Sequence, residues 1–156
     1  MIYIPGDATN ADVLDIVRTW IDILATGDYE AALSAIITDA ESETWTPYFL
    51  EIAIEQYRSP EFYPDVESFR LTDWRTAQGG NPEARQEVKW YKPPSGLAGY
   101  VVFDLPLNGQ WSDLLAEFDI WENNSAEEGY LLGLDEIGSW TQRQHCDGAG
   151  EQLAEV

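Results

Sequence analysis

Apolar residues recur at helical spacing in the first third of the chain and at alternate positions in much of the second half. Val13, Val17, Trp20, Ile21 and Leu24 fall at i, i+4, i+7, i+8 and i+11, along one side of a helix. Asp12, Asp15, Arg18 and Asp22 take the other side. Thr9 or Asn10 supplies an N-cap, and Asp12 sits in the first turn, where the helix dipole favours an acid. The spacing predicts a helix to about Ala25, ended by Gly27. Asp28 then caps a shorter helix from Tyr29 to about Thr38, with Ala32, Leu33, Ile36 and Ile37 inward. Thr46-Pro47 is a further start signal, a hydroxyl cap followed by proline at the first helical position. This third helix is expected to reach Tyr57, with Phe49, Leu50, Ala53, Ile54 and Tyr57 as its inner stripe. Ser59-Pro60 and Tyr63-Pro64 end it.

From residue 66 the period shortens to two. Phe69 and Leu71 alternate with Ser68, Arg70 and Thr72, which reads as a strand, and Gly79-Gly80-Asn81-Pro82 as a turn. Val88 and Trp90 flank Lys89 in the next strand, closed by Pro93-Pro94-Ser95-Gly96. Residues 99–107 (GYVVFDLPL) give the strongest strand signal, and Pro106 marks an edge, a bulge or the strand end. Asn108-Gly109 is the strongest hairpin dipeptide. In residues 111–122, Trp111, Leu114, Leu115 and Phe118 suit a helix, while Leu114, Ala116, Phe118 and Ile120 suit a strand; the turn before them favours the strand. Residues 123–129 read as a loop and Tyr130 to about Trp140 as the last strand. Helices followed by strands argue an α+β fold, with three N-terminal helices packed on a curved antiparallel sheet of four to five strands. One domain over residues 1–141 and a flexible tail over 142–156 are expected.

Composition supports a packed body. Of 156 residues, 44% are hydrophobic and seven are Trp, enough for a core despite a net charge of −21. No apolar run reaches the roughly 18–20 residues that span a bilayer. The opening MIYIPGDATN has no basic stretch followed by a long apolar run, so a cytoplasmic address is expected. The charge is uneven. Residues 1–57 hold eleven acids and one base (net −10), residues 58–92 six of each (net 0), and residues 93–156 twelve acids and one base (net −11). Such a chain repels nucleic acid and anionic membrane and attracts basic proteins. The same acidity also fits plain solubility or a high-salt habitat.

Catalytic signals are sparse. The single His145 and single Cys146 are neighbours in the tail, with no further His or Cys to complete a zinc site, so no metal is expected. Phosphate-loop, dinucleotide, nucleophile-elbow and EF-hand spacings are all missing, and no cofactor is expected. Asp104, Glu117 and Asp119 are candidate acid/base groups, although 29 acids bring carboxylates together by chance. The more informative pattern mixes acids with aromatics. Trp111, Asp113, Glu117, Asp119, Trp121 and Glu122 crowd one strand, mostly on one face, as in a surface where aromatic anchors bind and acids steer a basic partner. Glu41, Glu43 and Trp45, at the acidic connector, form a second candidate patch.

Residues 13–36 (VLDIVRTWIDILATGDYEAALSAI), with a helix running through Gly27-Asp28-Tyr29 into another, resemble NTF2-like, cystatin-type α+β domains. Residues 99–120 (GYVVFDLPLNGQWSDLLAEFDI) and 129–137 (GYLLGLDEI) resemble small bacterial domains of this class that are encoded beside secreted toxins and serve as immunity proteins. Together these pieces cover about a third of the chain. The resemblance implies a non-catalytic immunity or inhibitor protein for a basic partner such as a cognate toxin, with a possible homodimer through the sheet. It carries over no catalytic residue. Enzymes of this fold place an Asp or His inside the cone of the sheet, and the histidine version is missing here. Two alternatives stay open: an NTF2-like enzyme or small-molecule binder using Asp104 or Tyr100, and an acidic DNA mimic.

Overall fold

A computed structural model describes residues 2–36, 45–57, 68–79, 86–123 and 125–139. Its elements are β1 (Tyr3–Ile4), α1 (Asn10–Ala25), α2 (Tyr29–Ser34), α3 (Pro47–Glu55), β2 (Gln86–Ser95), β3 (Leu97–Leu107), β4 (Gln110–Asn123) and β5 (Ser125–Ser139). The architecture is α+β, with one curled antiparallel sheet in the order β1-β5-β4-β3-β2.

The helix starts follow from their caps. Thr9 Oγ1 accepts from the Asp12 N–H at 3.1 Å, and Asp12 Oδ2 accepts from the Thr9 N–H at 3.0 Å, a reciprocal capping box on α1. Gly27 turns the chain at φ +85°, and Asp28 Oδ1 accepts from the Ala31 N–H at 2.9 Å to open α2. Thr46 caps α3 in the same way, with Pro47 first. The α2 helix stops at Ser34, short of Thr38, and Ile37 and Thr38 lie outside the described residues. Leu50 and Ile54 of α3 are buried, but Phe49 is 52% exposed, so the inner stripe is narrower than expected.

The Asn108-Gly109 turn has φ values of 51° and 80°, the two-residue geometry whose twist matches its strands. It joins β3 to residues 110–123, which are strand. Pro106 falls where the β3–β4 register shifts, so its missing N–H costs the ladder little.

Two expectations are corrected, and one strand is added. Residues 68–73 make only an isolated bridge, Leu71 to Leu107, because Asp73 Oδ1 accepts from the Arg75 N–H and turns the chain away. Phe69 and Leu71 are nonetheless buried. The loop expected over 123–129 is largely strand, with Asn123 already paired to Ser125. The chain also opens on a strand, since Tyr3 and Ile4 pair with Leu131 and Tyr130.

Paired residues share a face, so the register maps both sides of the sheet. On the helix side the rows run Gln86–Phe103–Ala116–Ile137, Val88–Val101–Phe118–Leu134 and Trp90–Gly99–Ile120–Leu132. Gly99 leaves room here, since a Cβ would strike the Lys89 carbonyl. Against these rows lie Val13, Val17, Trp20, Ile21 and Leu24 of α1, all buried. Trp20 meets Phe118 edge-on at 5.2 Å and donates its Nε1–H to the Ala32 carbonyl at 2.7 Å, tying α1 to α2. Side chains therefore fill the space between α1 and the sheet. Among the described residues no helix is long and apolar enough to cross a membrane. The expected tail, with His145 and Cys146, lies outside them.

Candidate functional site

The face of the sheet turned away from the helices carries the acids. Its rows run Glu87–Val102–Glu117–Glu136, then Lys89–Tyr100–Asp119–Gly133, then Leu97–Trp121–Leu131–Tyr3. A further row, Asp104–Leu115–Gly138, lies toward the hairpin end. Asp135 is the extra residue where the β5 register shifts, between Glu136 and Leu134. The pleat thus sets Glu117, Asp119 and Trp121 in line along β4, flanked by Tyr100 and Glu136. Trp121 is 38% exposed and Tyr3 61%. Val102, Leu115 and Asp104 are buried on this face.

Asp119 is the electrostatic centre. Burial, then the charges of Asp135 and Glu117, push its carboxyl up to about 6. Arg18 and Arg75 are engaged elsewhere. Arg18 bonds Asp15 and Gln86 and lies over the Trp74 and Phe103 rings; Arg75 grips Asp22 with two bonds of 2.9 Å and also bonds Asp73.

The expected site divides. Glu117, Asp119 and Trp121 come together as anticipated. Trp111 does not join them, because β4 bulges opposite Asp104 and Pro106 and sends it to the helix side, against Phe103 at 6.3 Å. Asp113 lies in that bulge, its N–H donating to the Tyr57 hydroxyl at 3.3 Å, roughly 27 Å along the strand from Trp121. Glu122 pairs with Tyr130, which packs on Trp90, so it faces the helix side. Trp45 reaches the outer-face bulge, donating its Nε1–H to the Asp135 carbonyl at 3.2 Å. Glu41 and Glu43 lie outside the described residues. Asp135, Glu136, Tyr100 and Tyr3 are the members missing from the expected site. The alternation of Tyr100 with Val102 and Asp104, and the acid pair in GLDEI, were the available signals.

A separate cleft of about 380 Å³ lies between the end of α1, the start of α2, α3 and residues 70–71. Tyr29, Glu51, Glu55 and Arg70 line it with Leu24 and Leu71; Asp104 and Tyr100 do not. Burial, then Glu55 and Glu51, raise the Tyr29 phenol, and burial and Glu51 raise Glu55. Among the described residues no group of His, Cys, Asp and Glu is placed to hold a metal ion. Compared with known proteins, the chain matches no family model, no curated protein and no solved structure.

Proposed function

We propose that this is a non-catalytic, acidic immunity-type protein that binds and neutralises a basic partner protein, such as a cognate bacterial toxin, on the outer face of its sheet. The observation that carries this is the line Glu117–Asp119–Trp121 with Tyr100, Asp135 and Glu136 around it. An exposed indole among carboxylates joins an anchor to the charges that steer a cation toward it. The packed helix side supports the reading, since the exposed Trp121 and the carboxylates around it lie on the other face. The helix–Gly27-Asp28–helix start and the curled antiparallel sheet support an NTF2-like ancestry as part of the same proposal.

Binding to the basic product of a neighbouring gene tests it. Association is expected to slow steeply as salt rises. Trp121→Ala should weaken binding at least about 30-fold, and Tyr48→Ala, on exposed α3 surface, should leave it unchanged. Binding indifferent to Trp121→Ala and Asp119→Asn defeats the outer-face assignment.

The 380 Å³ cleft favours a second reading, a small-molecule-binding domain. Its mixed lining of Arg70, Glu51 and Glu55 suits a small zwitterion. Saturable heats with free amino acids, abolished by Arg70→Ala, would replace the first reading with this one.

A further inference from the structure

The β2 strand ends the sheet, and among the described residues no element pairs with its outer edge. Glu87 and Lys89 are both exposed there, on the same face and one step either side of Val88. We infer that this edge pairs with a second copy of the same chain, antiparallel and with the two-fold axis through Val88, so that Glu87 of each copy lies opposite Lys89 of the other. The assignment is independent of the basic partner proposed above.

Symmetry and charge select that arrangement. Antiparallel edges related by a two-fold axis keep their helices on one side, so only residues of the same face can lie opposite each other. Centring on Val88 places two opposite-charge pairs across the junction, and Gln86 of one copy opposite Trp90 of the other. Moving the axis one residue back sets Glu87 against Glu87, and one residue forward sets Lys89 against Lys89. Opposite charges directly across a ladder stabilise it, and like charges destabilise it. A lysine ordinarily protects an edge strand from pairing; here Glu87 turns that protection into a choice of register. The location also fits. Glu87 and Lys89 cancel each other on this edge of a chain of net charge −21, which lessens the local repulsion between copies. The product is a continuous ten-stranded sheet, five strands from each copy, with both acidic faces on one side.

The test is sedimentation equilibrium of the full chain at up to about 100 µM, in about 0.3 M salt so that repulsion between the two acidic bodies is screened. The wild-type chain should form a dimer. Glu87→Lys alone, or Lys89→Glu alone, places like charges at both crossings and should weaken the dimer at least about tenfold. The double exchange Glu87→Lys with Lys89→Glu should restore it, and a one-to-one mixture of the two single variants should form a heterodimer. Both positions are exposed, so unchanged far-ultraviolet circular dichroism should accompany every variant. A wild-type monomer throughout, a dimer indifferent to either reversal, or single variants that fail to complement each other would each overturn the assignment.

Discussion

Asp119 holds its proton to a higher pH folded than unfolded. Its carboxyl moves from 3.8 to about 6, first through burial and then through Asp135 and Glu117. Between those pH values the folded chain binds a proton that the unfolded chain has released. Stability therefore falls as pH rises through this window, and the penalty is fully present above about 6. Asp119→Asn should raise stability at pH 7 by about 1 kcal/mol, well under the full conversion because the carboxyl still meets solvent, and should leave it unchanged near pH 3. Urea unfolding at the two pH values checks this. The same ionisation should tighten the hold on a basic partner between pH 5 and 7. On the other face, Trp20→Ala empties a fully buried site and removes the indole bond to the Ala32 carbonyl. A loss of about 4 kcal/mol is expected, enough to unfold much of a marginal domain in a thermal melt.

At the scale of elements, local chemistry decides most of the structure. Thr9→Ala removes the capping box and should cost about 1 kcal/mol in urea denaturation, without altering the sheet. Thr9, Asp28, Thr46-Pro47 and Asn108-Gly109 act within a few residues of themselves, which is why three helix starts and the central hairpin are legible from the chain alone. Elements fixed by distant partners are not. The two residues of β1 are a strand only because β5 passes beside them. Phe69 and Leu71 alternate like a strand and are buried like one, yet the Asp73 turn denies them a ladder. Residues 125–129 look like a loop because Asn123, Ser125 and Gly129 are turn formers; Ser125 pairs with Asn123, and the register to β4 shifts before it resumes at Tyr130. Part of the candidate site is hidden from the sequence for the same kind of reason. Strict alternation puts Trp111 and Trp121 on one face, and the irregular backbone around Asp113 breaks that alternation before Trp111. No local signal announces where a strand accommodates its neighbour.

For the whole molecule, a charge of −21 means that the folded body repels itself. Adding salt should therefore raise the melting temperature, in contrast to a fold held by surface ion pairs. A scan from about 0.02 to 1 M sodium chloride reads the sign, because the screening length shrinks from over 20 Å to about 3 Å. A falling melting temperature would mean that contacts such as Arg75 with Asp22 outweigh the repulsion. The division of the chain into a helical half followed by a sheet has one more consequence. A ribosome delivers α1 and α2 well before the strands that cover them, since a nascent chain takes shape from its leading end. Throughout that interval the greasy side of α1 lacks the sheet and has only α2 of its own chain to rest on. The eleven acids of the first 57 residues travel with it and keep neighbouring nascent copies apart until β5 arrives.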